Sequence, residues 1–166
     1  MRIKRFFQHL FFTDWQASRA FNQASLDAIE QLIQESEKLH GGEIRFAVEG
    51  GLDSLRLFKG QSPRERAIEV FSELRVWDTE NNTGVLIYIL LADQAVEIVA
   101  DRGIHDKVRD TSWLNICQNM EAHFSKSEFQ KGALKGVAAL ACVIGKHFPA
   151  NDAFSNELPD APVMLT

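Results

Sequence analysis

Eight consecutive residues, Val85-Leu86-Ile87-Tyr88-Ile89-Leu90-Leu91-Ala92, are nearly all apolar, with a polar turn from Asp78 to Gly84 before them and Ala92-Asp93-Gln94 after. The run falls far short of the roughly 18–20 residues of a membrane span. It is also too uniformly apolar for a strand with one wet face. It predicts a central strand buried on both sides. Such a strand needs helical cover above and below, which places the chain in the α/β class.

The flanking segments fit that frame. Ile44, Phe46 and Val48 alternate with Glu43, Arg45, Ala47 and Glu49, the period-2 pattern of a half-buried strand. Ala95 to Ala100 is close enough to the apolar run to return as a hairpin strand. Ser62-Pro63-Arg64-Glu65 starts a helix over 62–75: the serine caps, proline takes the first helical position, and the glutamate reaches back. Another helix is expected from Ser25 as N-cap, with Leu26, Ile29, Leu32, Ile33 and Leu39 on one face and Gly41-Gly42 as its stop. Residues 50–60 read as a loop, and Asp101 to Ile104 as the end of the hairpin. Two helices follow, Trp113 to Phe124 and Ser127 to Phe148, the second closed by Pro149.

Strand 43–49, helix 62–75 and strand 85–92 make a parallel, right-handed βαβ unit. The expected architecture is a three-layer α/β/α sandwich of four helices on a small mixed sheet, a parallel βαβ pair plus an antiparallel hairpin strand. Three regions are expected: an aromatic and basic segment over 1–24, the α/β/α domain over 25–149, and an extended tail over 150–166.

With 18 Lys+Arg against 23 Asp+Glu in 166 residues, the net charge of −5 argues against a nucleic-acid partner. No secretory signal is legible, so a cytoplasmic chain is expected. Cys117 and Cys142 then read as buried thiols, and Trp15, Trp77 and Trp113 as packing residues. At the N-terminus, a helix would put Phe6, Phe7, Leu10 and Phe11 on one face with Arg2, Lys4, Arg5 and His9 around it. That segment either folds back on its own core or docks on a membrane surface or a partner.

The chain has no Gly-rich phosphate loop, no His-Glu-x-x-His, no Cys-x-x-Cys and no Gly-x-Ser-x-Gly elbow. Oxygen chemistry remains. The topology sends Glu49, Asp53 and Asp93 to the carboxyl end of the parallel strands. Asp78, Asn81, Asn82 and Asp101 go to the opposite end, with Glu43, Glu80 and His105 nearby. Such residues suit a hard cation, Ca²⁺ or Mg²⁺, and equally suit solvated turns. No organic cofactor is expected.

From Arg75 to Ile104 the chain resembles the TPM-domain family, and Gly42 to Glu49 (Gly-Glu-Ile-Arg-Phe-Ala-Val-Glu) is similar to its short bacterial members. The resemblance covers roughly Ser25 to Pro149. It implies the α/β/α sandwich, a divalent-cation site, and a phosphatase label that rests on plant thylakoid members linked to photosystem repair. Other members look like modulators of membrane proteins. The family's Asn-Asn-Gly is here Asn81-Asn82-Thr83-Gly84, its Asp-Asp-Arg is Ala92-Asp93-Gln94, and its aspartate before the first helix has no counterpart near Ala20. Two functions follow as expectations. One is a non-catalytic, cation-tuned interaction module for a protein partner or membrane-associated protein, peripheral to the membrane through its N-terminal segment. The other is a phosphomonoesterase whose cation polarises the phosphate and activates water, with Arg102 and Arg45 as the available clamp.

Overall fold

The apolar ribbon is a strand at the centre of the molecule. In the computed structural model, which describes residues 3–151 and 156–165, four strands form one sheet: β1 (Glu43–Glu49), β2 (Gly84–Leu90), β3 (Ala95–Ala100) and β4 (Val163–Leu165). Their order is β3-β2-β1-β4. Every residue of β2 is buried. β1 and β2 run parallel, Glu43 opposite Gly84 and Glu49 opposite Leu90, while β3 returns antiparallel with Ala100 opposite Val85. Arg2 of the basic start, and residues 152–155 and 166 of the tail, lie outside the described residues.

The helices are α1 (Ile3–Leu10), α2 (Asp14–Ala20), α3 (Gln23–Glu37), α4 (Ser54–Phe58), α5 (Pro63–Glu73), α6 (Arg102–His105), α7 (Asp110–Phe124) and α8 (Phe129–His147). One face of the sheet, through Ile44, Phe46, Val48, Ile87 and Ile98, packs with α3, α7 and α8. The other face, through Ala47, Leu86, Tyr88, Leu90 and Val99, packs with α5 and with Leu57 of α4. The result is the expected three-layer α/β/α sandwich on a mixed sheet. Ser62, Pro63 and Glu65 build the capping box and first helical turn of α5 as read from the sequence.

Several local readings change. The cap of α3 is Asn22, whose side chain accepts the Ser25 N–H at 2.9 Å, so the helix starts before Ser25. It ends at Glu37, which leaves Leu39 exposed. The 50–60 loop contains α4 because Asp53 caps it, and Asp101 likewise starts α6. Eight helices stand among the described residues, not four. The alternation in β1 does not mark a wet face, since all seven residues are buried. Glu49 finds a buried arginine, and the tail receives the other two charges. Glu43 accepts the N–H groups of Glu157 and Leu158, and Arg45 donates to the carbonyls of Pro159 and Ala161. The tail thus crosses β1 as a strap before Val163–Leu165 joins the sheet beside Ala47–Glu49. Cys117 is buried, which pushes its thiol up to about 12, whereas Cys142 is exposed. Only Trp113 of the three tryptophans is buried.

Candidate functional site

The carboxyl ends of parallel strands are where open α/β sheets usually hold ligands. Here that end is covered by α1. Asp93, in the turn after β2, takes both oxygens' worth of bonds from it. Arg5 Nε lies 3.0 and 3.1 Å from Oδ1 and Oδ2, its terminal nitrogen 2.8 Å from Oδ2, and His9 Nε2 2.9 Å from Oδ1. The His9 ring is buried, and its Nδ1 accepts the Leu52 N–H at 2.9 Å. That bond places the ring proton on Nε2, directed at Asp93. Gly51 permits the approach: a Cβ there would lie 3.2 Å from the His9 carbonyl oxygen.

Burial works against the Asp93 carboxylate, but the hydrogen bonds from His9 and Arg5 and the Arg5 charge outweigh it and hold its pKa at about 2. A carboxyl with a depressed folded-state pKa stabilises the fold above its unfolded value, near 4, and that contribution disappears as pH falls towards 2. Asp93→Asn is therefore expected to cost on the order of 2 kcal/mol at pH 7. Urea melts of both proteins at pH 7 and pH 2.5 check this: the gap between them should shrink to less than half at the acid end.

The neighbouring candidates are also engaged. Glu49 is buried, receives Arg66 Nε at 2.9 Å and the Tyr88 hydroxyl at 2.5 Å, and stands at the strand end next to the Asp93 turn. Burial and the adjacent Glu49 charge push the Tyr88 phenol up, which keeps it a donor. Asp53 caps α4 through the Arg56 N–H and pairs with the Arg56 side chain. A cation bound at Asp93 would have to displace Arg5 and His9.

At the opposite end the chain brings Asn81, Asn82 and Asp101 together. Asn82 takes φ 54°, and its Oδ1 lies 3.4 Å from Arg102 Nε. Asp101 Oδ1 accepts the Arg102 N–H at 2.7 Å, while its Oδ2 is buried without a partner. Gly103 lets the segments close: a Cβ would stand 2.5 Å from the Asn82 carbonyl oxygen and 2.7 Å from that of Asn81. Asp78 and Glu80 are exposed, and His105 faces Asp110 at 3.7 Å. Among the described residues no three His, Cys, Asp or Glu side chains are gathered in a metal-holding group.

Sequence reasoning missed the roles of Arg5 and His9. Their signal was present: two basic residues four apart, set away from Phe7 and Phe11. The resulting dock turns much of the aromatic segment outward. Phe6 packs inward, 5.3 Å ring to ring from Phe58, and Phe12 joins the core. Ile3, Phe7, Leu10 and Phe11 of the same segment, Trp15 of α2, and Leu55 and Phe58 of α4 stay between 49% and 69% exposed.

The model of the TPM domain matches residues 16–143. The chain is similar to the solution structure of the BA42 protein from the psychrophilic bacterium Bizionia argentinensis, at 28% identity and TM-score 0.72 over 86% of this chain and 93% of that one. It also shares its fold with the N-terminal domain of a protein from P. gingivalis, at 18% identity and TM-score 0.61 over 77% of this chain and 78% of that one. No curated protein matches it significantly. Among the described residues no helix is long and apolar enough to cross a membrane. With the family model covering most of its length and the same sandwich in both neighbours, this chain belongs to the TPM-domain family.

Proposed function

We propose that this chain is a non-catalytic docking module that seats its α1–α2–α4 face on an anionic membrane surface. The observation that carries the reading is the set of seven half-exposed or more exposed large apolar side chains on these three helices. Three of the four aromatics among them are phenylalanines and one is tryptophan. Aromatics carry roughly 150–250 Å² each, so at about half to two-thirds exposure the four present on the order of 500 Å², the upper end of what a monomer ordinarily exposes before the three aliphatic side chains are added. The charge around it suits lipid headgroups. α1 contains no acidic residue, Lys4 and Lys59 are exposed beside the aromatics, and Arg19 lies over the Trp15 ring at 5.4 Å. The acids of these helices are Asp14 in the first turn of α2 and the α4 cap Asp53, which is paired with Arg56, so Lys4, Lys59 and Arg19 are the cations left for headgroups. Lysine and arginine beside an apolar face are the pattern of an interfacial helix. The bonds to Asp93 hold α1 in place, so its face is presented without refolding.

A second reading rests on the unpartnered Asp101 Oδ2. Asp101, with Asn81, Asn82 and Asp78, offers the oxygen donors that Ca²⁺ or Mg²⁺ takes, and would hold such an ion on the rim opposite α1. A bound cation would supply Lewis acidity to a phosphate ester. Arg102 is the adjacent cation able to orient an anion there.

One series of assays separates the readings. The protein should cosediment with vesicles containing phosphatidylserine and remain in the supernatant with phosphatidylcholine alone or after Phe7→Ser with Phe11→Ser. It should not hydrolyse p-nitrophenyl phosphate with Mg²⁺ or Ca²⁺. Metal-dependent turnover abolished by Asp101→Ala would overturn the docking-only reading.

A further inference from the structure

At the amino end of β1, with a lining that includes none of Asn81, Asn82 or Asp101, a cavity of about 420 Å³ opens between the end of α3, the start of β1 and the strap. Gln34, Glu37, His40, Glu43, Asn156 and Asp160 line it. That volume lies within the range of small-molecule sites. Asn156 and Asp160 come from the tail, beyond the residues matched to the family.

Its polar groups are incompletely satisfied. Glu37 Oε1 accepts the Ile44 N–H at 2.7 Å, but Oε2 is buried with no partner. His40 is 2% exposed, and its Nδ1 accepts the Gly42 N–H at 3.2 Å. The ring proton therefore stands on Nε2, which is buried and unpartnered. Buried polar atoms left in this way are uncommon because each costs its lost hydration.

The chemistry of the cavity selects what would satisfy them. Three carboxyl groups, Glu37, Glu43 and Asp160, disfavour an anion; Lys38 is the one cation among the described lining residues. Burial first, then the charges of Glu43 and Asp160, push Glu37 up to about 9, so at neutral pH it keeps a proton that a bound cation would replace. Among the described residues these side chains do not gather into a metal-holding group, and the Gly42 bond to Nδ1 leaves His40 Nε2 protonated rather than free as a ligand. An ammonium group supplies the charge and several N–H donors to the carboxylates. An oxygen beside the ammonium can accept the His40 proton.

We infer that this cavity binds a primary ammonium group carrying a neighbouring carbonyl oxygen, held by Glu37 and Asp160 at the nitrogen and by His40 at the oxygen. A free small amine and a peptide N-terminus share this chemistry. Amide-resolved NMR titration of the full chain tests the site with glycinamide as the probe. Saturable shifts are expected at residues 37–44 and 156–161, with none from N-acetylglycinamide, which lacks the charge. Methylammonium, which lacks the carbonyl, should bind at least tenfold more weakly. Triglycine binding at least tenfold tighter than glycinamide would assign the source as a peptide terminus, and equal or weaker binding as a free amine. Glu37→Gln and Asp160→Asn should each weaken glycinamide at least tenfold, and His40→Phe should erase its advantage over methylammonium. If Asp160→Asn loosens the strap, seen as lost dispersion at 156–165, Glu37→Gln and His40→Phe carry the test. Absence of saturable shifts at 100 mM glycinamide, equal shifts from the acetylated probe, or the same shifts from CaCl₂ alone would overturn the inference.

Discussion

Arg66→Met is expected to destabilise the protein by about 3–5 kcal/mol, the loss that follows when one partner of a buried ion pair is removed. Arg66 and Glu49 are each 6% exposed. The arginine Nε holds Glu49 at 2.9 Å, and its terminal nitrogen reaches Glu73 at 2.8 Å and Glu69 at 3.2 Å. Burial disfavours the charge on Arg66, but Glu49 and Glu73 outweigh that and strengthen its hold on the proton. Without it, Glu49 keeps only the Tyr88 hydroxyl and must sit charged in the layer between the sheet and α5, or take up a proton. Urea unfolding measures the loss. Adding Glu49→Gln to Arg66→Met should recover more than half of it, because the stranded charge is then gone. A single variant that melts within about 1 kcal/mol of the parent would contradict this reading of the pair.

Removal of residues 152–166 is the second large effect. The buried side chain of Leu158 leaves its core cluster, worth roughly 1.5–3 kcal/mol. Glu43 loses two N–H donors and Arg45 loses two carbonyl acceptors, at roughly 1–3 kcal/mol for each buried group left unpaired. The truncation should therefore cost about 4 kcal/mol or more. It also uncovers the edge of β1 along Ala47–Glu49, an unpaired ladder that invites association between chains. Size-exclusion chromatography should show oligomers that the full chain does not form. An unchanged urea midpoint and a monomeric profile would mean that the strap adds nothing to the fold.

Both effects arise from charges in β1, and they mark the limit of what the sequence discloses. The two-sided burial of β2 was legible because eight apolar residues leave few alternatives. Helix α5 was legible because Ser62, Pro63 and Glu65 each match one position of a helix start. The alternation of Glu43, Arg45 and Glu49 gave the strand correctly and its outer face wrongly. Period-2 polarity reports that polar groups recur, and it does not say whether water or a buried partner receives them. Those partners come from far along the chain, Arg66 from α5 and residues 157–161 from the tail, and no local pattern announces them. β4 was illegible for the same reason, since three residues have no period and the pairing depends on Arg45.

The candidate ligands divide along similar lines. The topology placed Glu49 and Asp93 on one rim and Asn82 and Asp101 on the other, as the register requires. Their partners could not be read. Asp93 meets Arg5 and His9 across 88 and 84 positions of chain. Asp53 and Asp101 serve as helix caps, a use of aspartate that composition cannot separate from cation binding. The aromatic N-terminus carried both readings at once: Phe6 and Phe12 face the protein, while Phe7 and Phe11 do not.

The docking face is tested most directly by the fluorescence of Trp15 on titration with phosphatidylserine vesicles. In a Trp77→Phe background, Trp15 is the exposed tryptophan and Trp113 the buried one, so a change in emission reports α2. A blue shift is expected that saturates with lipid, is weakened by high salt, and is lost when Lys4 and Lys59 are replaced by glutamate. Emission that stays at its solvent-exposed wavelength throughout the titration, with the protein folded and α1 in place, would contradict it.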